Sequence, residues 1–364
     1  MTENSNPMPS SIPSGQPATL VVPQSVIIQQ KDGRFSRWFA WLGWIGLLFC
    51  LPVLVGIATR QRDYFDTTDG IQEKFVSGNR DAVEKLAIID VSGVIMEGDG
   101  FVKKQINRIE QDPHVKGILV RVDSPGGTVT GSDYIYHHLT RLRKEKKLPL
   151  VVSMGSLAAS GGYYVAMAVG DQERSIFAEP TTTTGSIGVI IPHYDVSGLM
   201  ARFDVRDDSI VSHPRKQILS MTKEVSAEDR KVLQEYVNQS FERFKNIVKS
   251  GRPKFRDDAA ALDQLATGEI FTAEDAEESG LVDEIGFLED AVERVAELAK
   301  VDAAKVRVVR YEQPLSVWQA VGAARSSTTD YEQTLQDWSV PRAFYLFTML
   351  PPLLTSMRGF PMGS

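Results

Sequence analysis

The sequence predicts an α/β protein: a core of parallel strands with flanking helices, preceded by one transmembrane helix. Three features point to this. Short apolar runs of strand length alternate with helix-length segments, Gly-rich turns stand where strand runs end, and one stretch near the N-terminus carries no charge over 21 positions.

Residues 1–37 come first and read as a disordered cytoplasmic tail. Up to Gln30 they hold five of the 18 prolines, many serines and a single charge, Glu3. Residues 38–58 are the charge-free stretch, which at helical rise spans about 31 Å, enough for one bilayer crossing. Trp38, Trp41 and Trp44 cluster at its start as interfacial aromatics do, and Pro52 predicts a kink. No small-x-small cleavage site clearly follows, so the stretch reads as an uncleaved signal anchor. Lys31, Arg34 and Arg37 flank one end and Arg60 and Arg62 the other, a slight bias toward a cytoplasmic tail. Residues 59–84 read as a linker.

The α/β region is expected over 85–310. Strands are predicted at 85–91, 115–122, 148–153, 175–178 and 186–191, with helices near 99–111, 130–146 and 160–168. From Ser226 to about Lys249 an amphipathic helix places Leu233, Tyr236, Val237, Phe241, Phe244 and Val248 on one side, a stripe suited to the core or to a subunit interface. The extension 311–364 contains an apolar segment, 343–354, too short and proline-broken to span, suited to lying on a membrane or packing on a partner. The one cysteine, Cys50, falls in the predicted span, so the exported part has no disulfide and depends on its core. Forty basic and 47 acidic residues give a net charge of −7, which argues against a broad nucleic-acid surface.

The chemistry concentrates in Gly155-Ser-Leu-Ala-Ala-Ser160-Gly-Gly-Tyr-Tyr164, where a lone serine separates an apolar strand run from a helix-compatible run. Ser160 at a helix start is either a simple N-cap or a nucleophile, and Gly161 and Gly162 leave backbone N–H groups accessible for developing negative charge. Asp123-Ser-Pro-Gly-Gly127 and Thr184-Gly-Ser-Ile-Gly-Val189 are two more small-residue turns abutting strands. In an open α/β sheet the three could converge on one crevice.

Asp123-Ser-Pro-Gly-Gly127, Ala159-Ser-Gly-Gly162 and Gly185-Ser-Ile-Gly-Val189, in this order and spacing, resemble the short form of the SppA signal peptide peptidase family. Gly268-Glu-Ile-Phe-Thr-Ala-Glu-Asp-Ala276 and Gly280-Leu-Val-Asp-Glu-Ile-Gly286 extend the resemblance to roughly residues 85–300. It implies a crotonase/Clp-like fold and a serine endopeptidase with a Ser/Lys dyad. It also implies a single-pass anchor in the bacterial inner membrane, the catalytic domain outside the cytoplasm, and a ring-like homo-oligomer that digests spent signal peptides. Ser160 matches the nucleophile, and Lys216, in Ser212-His-Pro-Arg-Lys216, keeps the spacing of the family's base. Ser186 matches the serine that orients the lysine, while Gly126 and the N–H of Gly161 are the candidate oxyanion donors.

A lysine acts as a base only when neutral, which requires a dry surrounding that Ile210, Val211, Ile218 and Leu219 could partly supply. Otherwise Lys216 is a solvated surface charge, and Lys223 is the runner-up. His213 stands where the family has Gly, and Pro214 pushes it toward extended backbone. Tyr163 and Tyr164 read as packing residues. A Ser160/His193/Asp195 triad is the competing arrangement, although no Gly-x-Ser-x-Gly elbow surrounds Ser160. No metal or nucleotide motif is present, so no cofactor is expected. The functional alternatives are a related protease that cuts a membrane-protein partner and a catalytically silent membrane-anchored scaffold.

Overall fold

The computed structural model describes residues 70–313 and 343–346, with scattered helical residues between 41 and 54. The chain divides into two compact units, Met1–Gln61 and Arg62–Ser364. In the first, Trp41, Trp44, Leu47, Leu48, Leu51, Val53 and Leu54 are helical and exposed. The rest of the predicted 38–58 span lies outside the described residues, as does the 1–37 tail. Among the described residues no helix is long and apolar enough to cross a membrane.

The second unit is built on a mostly parallel sheet, as the alternation of strand and helix runs demands. Its strands are β1 (Gln72–Gly78), β2 (Lys85–Ser92), β3 (Val115–Ser124), β5 (Leu150–Ala159), β6 (Ile176–Ala178), β9 (Glu284–Ile285) and β10 (Arg307–Glu312), in the order β1-β10-β2-β3-β5-β6-β9. All neighbours are parallel except β1, which runs antiparallel at the edge. Two short strands, β7 (Thr183–Gly185) and β8 (Ile270–Phe271), extend the sheet beyond β5.

Both faces of the sheet are covered, which explains why β2, β3 and β5 read as continuous rather than alternating apolar runs. On one face Leu86, Ile88, Leu119, Val151 and Phe177 pack under helix Leu288–Ala299. On the other, Ala87, Ile89, Val120, Val122, Val152 and Met154 meet the helices α1 (Phe101–Gln111), α2 (Val129–Lys146), α3 (Gly161–Ala166) and the long helix Ala227–Gly251. Each such buried Val, Leu, Ile, Phe or Met side chain stabilises the fold by roughly 1.5–3 kcal/mol.

Strands predicted at 85–91, 115–122, 148–153 and 175–178 are present, the first three longer than expected. The exception is 186–191. The ladder there lies earlier, at Thr183–Gly185, because Ser186 has a positive φ of 51° and turns the chain out of the sheet. The predicted linker 59–84 contains β1, whose Phe75 side pairs with Val309, so the sheet starts before residue 85. The apolar stripe of Ala227–Gly251 is buried only in its C-terminal half, at Ser240, Phe244, Val248 and Gly251, while Tyr236 is exposed. The first residues of the 343–354 segment form β11 (Phe344–Leu346), paired antiparallel with β4 (Gly126–Thr128) in the same chain. This replaces the expected membrane or partner contact for those residues; 347–354 lie outside the described ones.

Candidate active site

Ser160 stands between the end of β5 and the first residue of α3, where a strand meets a helix start. Its backbone is unusual, with φ 54° and ψ −115°, a conformation that costs a non-glycine residue about 1–3 kcal/mol. Two bonds hold it there. Its N–H donates to the Gly185 carbonyl at 2.7 Å, and its own carbonyl accepts from Tyr164 N–H at 2.8 Å. The hydroxyl makes no capping bond. The N-cap reading is thus replaced: this serine is 1% exposed and strained, and its Oγ makes no capping bond and has no hydrogen-bond partner among the described residues. The strand–turn–helix placement has the logic of a nucleophile elbow without that motif's first glycine.

Gly161 and Gly126 explain why small residues surround it. A methyl group on Gly161 would lie 2.4 Å from Ser132 Oγ and 3.0 Å from Gly126 Cα, so the helix start packs directly on β4. Gly126 has φ 94°, and a methyl there would lie 2.5 Å from Gly161 N. The two expected oxyanion donors differ. Gly161 N–H opens the helix and meets no acceptor among the described residues, whereas Gly126 N–H donates to Ser124 Oγ at 3.1 Å. Ser124 Oγ in turn donates to the Gly93 carbonyl at 2.6 Å, fixing the turn. Gly126 therefore secures close approach, and Gly161 is the donor left open.

Sequence reasoning missed Asp123. Its Oδ1 accepts from Ser156 Oγ at 2.9 Å and Leu157 N–H at 3.1 Å, clamping the last residues of β5 to the end of β3. The carboxylate in Asp-Ser-Pro-Gly-Gly was the available signal, since Asp at a turn seeks neighbouring N–H groups.

Ser186 follows Gly185, which is in register with Ala159, so the two serines leave adjacent strand ends together. Ser186 is 7% exposed, and its N–H donates to the Glu269 carbonyl at 2.6 Å.

Lys216 is not brought to this cluster. It lies exposed on a 3₁₀ turn, Pro214–Gln217, with its backbone N–H on the His213 carbonyl at 2.9 Å, and no hydrogen bond joins its side chain to Ser160 or Ser186. His213 is extended, φ −158° and ψ 142°, as a residue before proline should be, and its Nδ1 caps the turn by accepting from Arg215 N–H at 3.2 Å. Lys223 Nζ donates to Gln217 Oε1 at 2.8 Å.

The competing triad is not assembled. His193 Nε2 contacts the Ser220 carbonyl at 3.1 Å, while Asp195 Oδ1 accepts from Ser197 N–H and Oγ at 2.9 and 2.6 Å. Tyr163 and Tyr164 are fully buried packing residues. Tyr163 O–H donates to the Leu281 carbonyl and Tyr164 O–H to Asp133, so both hydroxyls are spent on structure, and burial pushes both phenols up. Among the described residues no cluster of His, Cys, Asp and Glu could hold a metal ion. The arrangement suits acyl transfer: an unbonded hydroxyl beside an open backbone N–H.

Comparison with known proteins adds a second, independent line. The family model described as peptidase family S49 matches residues 142–302. A putative signal peptide peptidase SppA of Enterococcus faecium is 34% identical over 293 residues, 74% of this chain and 83% of that protein. A putative protease of Synechocystis is 38% identical over 232 residues, 64% of this chain and 80% of that protein. The chloroplastic serine protease SPPA of Arabidopsis thaliana is 28% identical over 283 residues, 72% of this chain but only 39% of that protein.

Proposed function

This chain belongs to peptidase family S49, and from that membership we propose that it is a membrane-anchored endopeptidase forming an acyl-enzyme on Ser160, with Lys216 as general base. The class of enzyme, a serine protease, follows from the family itself. The observation that carries the residue assignment is Ser160: buried, strained and with its hydroxyl unspent, next to Gly161 N–H.

In this reading Ser160 Oγ adds to a peptide carbonyl while Lys216 takes its proton, and Gly161 N–H donates to the oxygen that becomes negative. Lys216 later delivers the proton to the departing amine. Ser186, beside Ser160, orients the lysine by accepting a hydrogen bond from it. Because Lys216 is exposed on its own protomer, the dyad requires the loop carrying it to be covered. Assembly into a homo-oligomer supplies that cover; the segment from Leu199 to Val211 exposes Leu199, Phe203, Val205, Ile210 and Val211, a composition that suits contact with another copy. The core is read as crotonase/Clp-like, with residues 38–58 anchoring it in the bacterial inner membrane and the catalytic domain outside the cytoplasm.

Spent signal peptides are the proposed substrates, supported by the likeness to the putative signal peptide peptidase of Enterococcus faecium. Ser160→Ala and Lys216→Ala should each abolish peptide hydrolysis with the protein still folded by circular dichroism. Full activity in Lys216→Ala would remove the dyad. Mass spectrometry of membranes from cells lacking the protein separates the substrate classes: accumulated signal peptides support this reading, whereas an uncut membrane protein supports a dedicated processing protease. A scaffold would leave Ser160 unlabelled by fluorophosphonate and peptides uncut.

A further inference from the structure

The strand that leads into Ser160 is irregular. β5 pairs with β3 as Val122 with Met154 and then as Ser124 with Ala158, so β5 carries two extra residues, bulged out within Gly155-Ser156-Leu157. Bulges are rare in parallel ladders and gather beside active sites, where they re-aim a side chain or end a pairing. This one ends one pairing and begins another. Before it β5 pairs with β6, Met154 opposite Ala178; after it β5 pairs with β7, Leu157 opposite Thr183 and Ala159 opposite Gly185. The second pairing places Gly185, whose carbonyl accepts from Ser160 N–H, and with it Ser186, beside Ser160.

A bulge frees backbone groups that a regular ladder would satisfy, and here side chains from both flanking segments take them. On the β3 side, Asp123 Oδ1 accepts from Leu157 N–H at 3.1 Å and from Ser156 Oγ at 2.9 Å. On the other, the buried Thr182 donates its hydroxyl to the Gly155 carbonyl at 2.7 Å, and Thr184 Oγ1 donates to the Ala158 carbonyl at 2.7 Å. Gly155 leaves the carboxylate its room, since a methyl there would lie 3.1 Å from Asp123 Cγ and 3.1 Å from the Arg121 guanidinium. Arg121 is itself fixed, donating to Ser153 Oγ at 2.8 Å and to Glu179 at 2.6 Å. One carboxylate and one hydroxyl thus pin the bulge from opposite sides.

We propose that Asp123 is a positioning residue for peptide hydrolysis: by holding the bulge it sets the register of β5 against β7, and so the place of Ser160 and of Ser186 beside it. It acts through Leu157 and Ser156 rather than on the reacting atoms. The proposal deepens the proposed function and rests on Ser160 being the nucleophile, because only then does the register of β5 govern the rate. What the bulge takes from residue 123 is an acceptor at Oδ1, and a charge is not required. Asparagine keeps that acceptor, whereas alanine removes it and leaves Leu157 N–H without a partner. A displacement of about 1 Å at a reacting group is enough to lower a rate about 100-fold.

The test compares Asp123→Ala with Asp123→Asn in the full chain, reading kcat and KM for peptide hydrolysis and hydrogen exchange of the Leu157 amide by mass spectrometry. Asp123→Ala should lower kcat about 100-fold while KM stays within about twofold, and its Leu157 amide should exchange at least about tenfold faster. Asp123→Asn should keep kcat within about threefold and leave the exchange rate unchanged. Unchanged kcat in folded Asp123→Ala, a loss carried by KM instead, equal losses in both variants, or a lower kcat without faster exchange at Leu157 overturns the proposal. If Asp123→Ala does not fold, Asp123→Glu replaces it: the charge is kept but the acceptor moves by one methylene, so kcat should again fall, and full kcat there is equally fatal. Ser160→Ala, run alongside, keeps the two readings apart. If it is inactive while Asp123→Ala is fully active, the role of Asp123 alone fails, whereas activity in Ser160→Ala removes the nucleophile and this proposal with it.

Discussion

At Ser160 the backbone strain and the proposed chemistry have the same origin. Gly185 and Tyr164 hold the main chain at φ 54°, and that geometry is what frees the hydroxyl from capping. Strain of this kind is sustained by surrounding bonds, so its release should be measurable. Ser160→Gly is expected to be more stable than Ser160→Ala by about 1 kcal/mol in urea unfolding, because glycine takes positive φ freely while alanine keeps the penalty; both should be inactive. Equal stabilities would mean that the site holds no strain. The strand-to-helix turn at this residue was legible in Ala159-Ser-Gly-Gly162, but its conformation was not. Which N–H and hydroxyl groups are already spent depends on partners 30 or more residues away, as with Ser124 Oγ on the Gly93 carbonyl, and spacing carries no such information.

Among elements, β2, β3 and β5 were legible because burial on both faces writes an unbroken apolar run, whereas 186–191 was equally apolar and is not a strand. A short apolar run reports burial, and only the left-handed Ser186 decides where the ladder ends. A second element-scale feature concerns the end of the long helix. Arg252, just past Gly251, is buried and donates to the Gly280 carbonyl at 2.8 Å, the Val282 carbonyl at 3.2 Å and Asp283 at 2.7 Å. Asp283 also accepts from Ser175 and Ile176 N–H, both at 2.9 Å, which ties the helix to the start of β6. Asp283→Ala would strand a buried guanidinium and two N–H groups, and a loss of about 3–5 kcal/mol in unfolding free energy is expected. A loss below about 1 kcal/mol would show that water replaces the carboxylate and that this tie does not support the sheet edge.

For the whole molecule, the separation of the proposed nucleophile Ser160 from the proposed base Lys216 is the central physical problem. A base needs a dry surrounding, and Lys216 is exposed on a turn, with no hydrogen-bond or ion-pair partner for its side chain among the described residues. Within the same stretch of chain Leu199, Phe203, Val205 and Ile210 stand in solvent, an arrangement that costs hydrophobic free energy unless something covers it. In the proposed assembly one event would resolve both: a contact between copies that buried these side chains would also dry Lys216, coupling assembly to activation. The double substitution Phe203→Asp/Ile210→Asp should therefore lower the sedimentation coefficient and peptide hydrolysis together, with hydrolysis falling at least tenfold. Its melting temperature should change little, because neither side chain belongs to the core. Hydrolysis of the unsubstituted protein should likewise rise faster than linearly with protein concentration near the assembly midpoint. A monomer in sedimentation that retained full hydrolysis would break this coupling and place the base within a single protomer.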